Sequence, residues 1–189
     1  MRRPLVPCAP LPSPQRGRGA LGTPATERPG RLSWERSTRL GLDLSDPFGK
    51  AIGMFEIFEH TADVGIRVRA AGWEQLFVDA AKGLFSILLA NPDAVEPLQE
   101  LAFTISGHED EDLLLDWLCE LLYVFSTRRL VFSEFEVRRT PEGIAAAARG
   151  EPLDSCRHRP NVEIKAITYH GLKVERRGDE WLAEVIVDI

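Results

Sequence analysis

An abrupt change of pattern at Met54 limits what this chain can fold into. From Met54 to Ile189 apolar residues recur at strand or helix spacing. Before Met54 there is no such period, and eight of the 13 prolines are mixed there with Arg, Gly and Ser. A segment of that kind cannot bury enough apolar surface to offset its ordering entropy. Residues 1–53 therefore read as a disordered tail, or as sequence ahead of a true start at Met54, and residues 54–189 as the folding unit. No apolar stretch follows Arg2-Arg3, so the beginning is not a secretory signal. Its Arg-rich, acid-poor make-up is similar to an organellar transit peptide, but the prolines forbid the long amphipathic helix such a peptide forms.

The formal charge of −6 hides an asymmetry between these parts. Nine of the 23 Lys and Arg but only four of the 29 Asp and Glu precede Met54, which leaves 14 basic and 25 acidic residues, a net −11, from there on. An acidic domain lacks the clustered Lys and Arg that strong nucleic-acid binding requires, and it suits a basic protein partner instead. Three cysteines, Cys8, Cys119 and Cys156, form no even framework and no C-x-x-C pair. They imply reduced thiols and a cytoplasmic location. Cys156 and His158 could supply two zinc ligands, but nothing near them completes a set of four. No apolar run approaches the ~20 residues of a membrane span.

Periodicity then places the elements. Phe55 to Phe58 and Val64 to Ala70 alternate as strands around the turn His60-Thr-Ala-Asp63. Trp73 to Leu89 is a helix with Leu76, Ala80, Leu84, Ile87 and Leu88 on one side, stopped by Asn91-Pro92. Leu101 to Gly107 is a strand. Glu109 to Arg129 is the strongest helix, with a stripe of Leu114, Trp117, Leu118, Leu121, Leu122 and Phe125. Its four leading acids and its closing Arg128-Arg129 suit the helix dipole, which explains the acidic run better than a metal site does. Strands follow over Val131 to Arg138, Ile144 to Arg149, Val162 to Thr168, Leu172 to Arg177 and Trp181 to Ile189, with Gly150 to Pro160 as loop. The result is an α+β domain, two helices packed on a mostly antiparallel sheet of about seven strands.

Three polar clusters interrupt the apolar pattern at strand ends: His60-Thr-Ala-Asp63, Lys165 with Thr168-Tyr-His170, and Asp188-Ile189. Function concentrates at such junctions because a rigid element fixes a side chain that the adjoining loop leaves exposed. Asp188 lies beside the α-carboxylate of the last residue, so two negative charges meet at a strand end. A hard divalent cation or a lysine would relieve their repulsion, and so would plain solvation. Taken singly, His60 reads as a turn residue, Lys165 as a solvated face residue and Tyr169-His170-Gly171 as a hairpin turn. The chain carries no G-x-S-x-G, no P-loop and no G-x-G-x-x-G.

Five blocks taken together are similar to the archease family. They are Phe58-Glu-His-Thr-Ala-Asp-Val-Gly-Ile66, Leu114-Leu-Asp-Trp-Leu-Cys-Glu-Leu-Leu-Tyr123, Leu130-Val-Phe-Ser-Glu-Phe135, Glu163-Ile-Lys-Ala-Ile-Thr-Tyr-His-Gly171 and Val187-Asp-Ile189. The resemblance runs from Phe55 to Ile189 and has no counterpart for residues 1–53. It implies an archease-like fold and a non-enzymatic role, activation of the tRNA-splicing RNA ligase RtcB by promoting GTP-dependent guanylylation of its active-site histidine and hence multiple turnover. RtcB-type ligases join RNA ends bearing a 2′,3′-cyclic phosphate or 3′-phosphate to a 5′-hydroxyl. The resemblance assigns Asp63, Asp188 and Ile189 to a divalent-cation site, expected for calcium, with Lys165 beside them, and assigns His60, Thr61 and Lys165 to activation of the partner. Two other readings stay open: a chaperone-like modulator of a tRNA methyltransferase, and a metal-dependent phosphohydrolase using Asp63 and Asp188. Against the phosphohydrolase, the chain offers neither a general base nor acids for a second metal near those strand ends.

Overall fold

The computed structural model describes residues 54–60 and 63–189, and of Met54 and His60 the main chain alone. Among the described residues the order is β1 (Met54–His60), β2 (Asp63–Ala70), α1 (Trp73–Leu88), β3 (Gln99–Ser106), α2 (Asp110–Arg128), β4 (Leu130–Thr140), β5 (Gly143–Pro152), β6 (Ala166–Arg177) and β7 (Glu180–Asp188), with a 3-10 turn at Pro92–Ala94. The two helices and seven antiparallel strands agree with the α+β expectation. The strands divide between two sheets, however, with orders β1-β2-β7-β6 and β3-β5-β4.

The reason for two sheets lies in α1. The expected stripe of Leu76, Ala80, Leu84, Ile87 and Leu88 is buried, as are Trp73 and Phe77 within its arc, and burial extends past its edge to Ala81 and Phe85. A helix apolar on so many sides needs partners on more than one front. It packs on β2 of one sheet and on β4 of the other, and a single core joins both sheets and both helices. In α2, Leu114, Trp117, Leu118, Leu121 and Leu122 are buried as the stripe predicts, and Phe125 is partly buried. Trp117 Nε1 donates to the carbonyl of Phe77 at 3.2 Å, which locks the two helices together. The acids Asp110, Glu111 and Asp112 occupy the first turn of α2, where the dipole favours them.

One pair of expected strands is a single strand. The stretch Leu172 to Arg177 continues the one before it as β6, and Tyr169-His170-Gly171 lies inside the strand instead of forming a hairpin turn. The register against β7 shifts between Thr168 and Lys173, and Gly171 has φ 65°. A glycine in the left-handed region here makes a bulge, which bends a strand without ending it. Residues 162–165 precede β6 and lie outside any strand. The amides of Asn161 and Val162 there donate to the carbonyls of Leu88 and Ile87, capping α1.

The loop after β5 is fixed by a buried polar cluster. Oε1 of Glu151 accepts from the Glu96 amide at 2.6 Å and from the Arg157 guanidinium. His158 is fully buried; its Nδ1 accepts from the Asp154 amide at 3.0 Å, so Nε2 carries the proton that faces Glu151 at 3.3 Å. With both ring nitrogens engaged, His158 is no zinc ligand, and the Cys156–His158 pair is not the start of a metal site. Burial pushes the Glu151 carboxyl up, but the Glu96 amide, Arg157 and His158 outweigh it and hold the group below the ordinary glutamate range. A depressed carboxyl contributes stability that is present at neutral pH and lost as pH falls through its folded-state value. Glu151→Gln is therefore expected to cost about 1–3 kcal/mol at pH 7 by urea unfolding. The difference from the unsubstituted protein should shrink as the medium is acidified below the ordinary glutamate range.

Candidate metal centre

The site is built at one end of the four-stranded sheet. In β2 and β7 Val64 pairs with Val187, so Asp63, one residue out, stands across from Asp188. On the other side of β7, Ala166 of β6 pairs with Asp188, and the Lys165 amide donates to the Asp188 carbonyl at 2.8 Å. The Lys165 ammonium donates to the main-chain oxygen of Ile189 at 2.7 Å and lies 3.8 Å from Asp188 Oδ1. Lys165 thus departs from the expected place on a strand face: it sits just ahead of β6 and turns to the strand ends. Ile189 packs its side chain against the core, which leaves its main-chain oxygen at the rim.

Local sequence fixes this geometry. The Phe58 ring of β1 covers Gly65 of β2, where an added Cβ would come within 2.2 Å of its Cζ. The Arg67 guanidinium sits 4.7 Å from the centre of the same ring, and its Nε donates to Glu184 Oε1 of β7 at 2.6 Å. Ile66, between them, points into the core and is fully buried. Phe58, Gly65 and Arg67 therefore tie β1 and β2 to β7 and hold Asp63 in line with Asp188.

The structure brings together Asp63, Asp188, Ile189 and Lys165. Thr61 and the side chain of His60 lie outside the described residues; the main chain of His60 pairs with Asp63. Among the described residues no group of three or more His, Cys, Asp or Glu side chains gathers at one point. A metal at the strand ends would accordingly take its ligands from Asp63, Asp188 and the main-chain oxygen of Ile189. That donor set is all oxygen and suits a hard cation such as calcium, so the residues present fit the ion in ligand chemistry.

Sequence reasoning missed the role of Tyr169. Its hydroxyl reaches Asp112 Oδ1 of α2 at 3.3 Å, and Thr168 Oγ1 donates to the Ile186 carbonyl at 3.1 Å. Desolvation where it meets α2, and then the Asp112 carboxylate, push the hydroxyl of the exposed Tyr169 up. The signal was Gly171 inside an alternating stretch, which marks a bulge as readily as a turn. Elsewhere, burial followed by Asp116 and Glu120 pushes the Cys119 thiol up, the opposite of the shift that activates a nucleophilic cysteine. No helix among the described residues is long and apolar enough to cross a membrane.

The fold has counterparts among known proteins. The model of the Archease protein family (MTH1598/TM1083) matches residues 55–189. Protein archease of Methanopyrus kandleri is 44% identical over 139 residues, 71% of this chain and 99% of that protein. Protein archease of Pyrococcus abyssi is 39% identical over 140 residues, 71% of this chain and 98% of that protein. Among solved structures, the solution structure of Methanobacterium thermoautotrophicum protein 1598 is similar with a TM-score of 0.61 at 28% identity, covering 71% of this chain and 98% of that one. The crystal structure of an archease, possible chaperone, from Thermotoga maritima is similar with a TM-score of 0.52 at 25% identity, covering 72% and 98%.

Proposed function

Because the chain belongs to the archease family, we propose that it is a non-catalytic accessory protein whose strand-end tip enters a partner RNA ligase of the RtcB type. There it promotes GTP-dependent guanylylation of the ligase and so permits repeated turnover. The observation that carries this reading is the meeting of Asp63, Asp188, Ile189 and Lys165 at one rim. The Lys165 and Asp188 side chains are 64% and 48% exposed, so a partner protein can reach them. The net −11 of the folded part suits a basic partner surface.

The chemistry asked of the tip is electrostatic. Phosphoryl transfer spreads negative charge over the phosphate oxygens, and catalysis comes largely from positioning and charge stabilisation. Calcium, when bound, would supply positive charge beside the partner's nucleotide. Asp63, Asp188 and Ile189 hold oxygens ready at the rim, and Lys165 contributes an ammonium beside them. The test is an RNA-joining assay with excess substrate: the chain is expected to convert one round of joining by the ligase into many. No change in joining, together with a change in the activity of a tRNA methyltransferase mixed with the chain, would favour the modulator reading instead.

Calcium binding is checked separately. Calcium at about 100 times its Kd should stabilise the native state by ~2.7 kcal/mol, a rise of about 5–10 °C in melting temperature for a domain of this size. Asp63→Ala is expected to abolish that rise while leaving the calcium-free melting temperature nearly unchanged. Equal calcium stabilisation of both proteins would remove Asp63 from the ligand set.

A further inference from the structure

The ammonium of Lys165 already occupies the oxygens that a cation at the strand ends would need. It donates to the main-chain oxygen of Ile189 at 2.7 Å and stands 3.8 Å from Asp188 Oδ1, while its own amide is held by the Asp188 carbonyl at 2.8 Å. The last contact fixes the base of the side chain and leaves the four-carbon stem free to swing, since the side chain is 64% exposed. We propose that Lys165 is an internal competitor for the cation: it neutralises the acidic rim when no ion is bound and must be displaced from the Ile189 oxygen for a divalent ion to enter. This inference rests on the cation-site reading above and adds to it what sets the affinity and selectivity of that site.

The physical argument is one of like charges. A divalent ion ligated by Asp63, Asp188 and Ile189 would stand a few ångströms from the ammonium, and repulsion at that distance is substantial wherever water is partly excluded. A monovalent ion gains too little from two carboxylates to displace a hydrogen-bonded ammonium, whereas a divalent ion gains twice the Coulomb energy. Lys165 thereby raises the concentration at which calcium binds and screens out sodium and potassium. It also couples the two charges of the tip, because entry of the ion releases the ammonium from Ile189. Lysine suits this role better than arginine, being a compact point charge on a flexible stem.

The experiment is calorimetric titration of the full chain with calcium chloride, using the unsubstituted protein, Lys165→Met and Lys165→Gln, with folding of each checked by circular dichroism. Both substitutions are expected to tighten calcium binding by about tenfold and to let sodium chloride compete more effectively. If the unsubstituted protein binds calcium and the two variants bind it equally or more weakly, the competitor idea is overturned while the cation site stands. If neither the unsubstituted protein nor the variants bind calcium, the cation-site reading falls and this inference falls with it. A crystal structure with calcium at the rim and Lys165 still bonded to the Ile189 oxygen would also overturn it, independently of any affinity.

Discussion

Asp188→Ala is expected to reduce the stimulation of ligase guanylylation by roughly a hundredfold or more, the scale on which removing one preorganised electrostatic group acts. The fold should survive the change. Asp188 is the last residue of β7, its side chain is about half exposed, and its hydrogen bonds to β6 and to Lys165 run through the main chain, which alanine retains. What alanine removes is the carboxylate of one of the two aspartates that the register sets across from each other on β2 and β7, together with the counter-charge of Lys165. Melting temperature and circular dichroism should therefore match the unsubstituted protein while the rate falls. A variant that unfolds would show Asp188 to be structural, and a folded variant with full stimulation would remove it from the tip's chemistry.

The largest effect on stability is expected at Gly150. Beside the bulge at Ser133, β4 comes so close to β5 that a Cβ at position 150 would lie 1.8 Å from the Val131 carbonyl oxygen and 2.7 Å from the Phe132 Cα. Both obstacles are main chain, which cannot swing aside as a side chain can. Val131 and Phe132 are also fully buried, and β5 is the central strand of its sheet. Gly150→Ala should cost about 3–5 kcal/mol in urea unfolding, at the upper end for overpacking, because relief requires moving β4 off the core. An effect below about 1 kcal/mol would mean that the two strands separate easily, contrary to the packing described.

These two positions show how differently the sequence exposes its information. The α2 stripe from Leu114 to Phe125 was legible because one helix face meets one apolar surface and the period carries the whole message. The existence of α1 was equally plain, but its burial on several sides was not, since a single expected stripe cannot reveal that a second sheet lies beyond Phe85. Gly150 reads locally as the start of a loop, yet β5 continues through it to Pro152. A glycine that admits a neighbouring backbone and a glycine that ends a strand look alike until the pairing is known. Gly171 misleads in the same way, as a bulge residue inside β6 that a local reading takes for a hairpin turn.

The residues of the candidate site stood out for a different reason, and the resemblance alone joined them into one site. Asp63, Lys165 and Asp188 each break an apolar alternation at a strand end, and only pairing decides whether three such ends coincide. Registers of β2 and β6 against β7 make them coincide. The contact of Lys165 with the Ile189 oxygen was beyond reach, because it depends on residues 162–165 leaving the strand that their alternation suggests. His60→Ala and Thr61→Ala belong beside Asp188→Ala in the same assay.

The central claim, that this chain promotes guanylylation of a partner ligase through its strand-end tip, is tested most directly by the covalent intermediate itself. An RtcB-type ligase is incubated with labelled GTP, alone, with the unsubstituted chain and with the Asp63→Ala, Asp188→Ala double variant, and the label bound to the ligase is followed over time. The account predicts rapid accumulation of guanylylated ligase with the unsubstituted chain, and accumulation no faster than the ligase alone with the folded double variant. Equal labelling in all three reactions, or equal acceleration by the unsubstituted chain and the double variant, would contradict it.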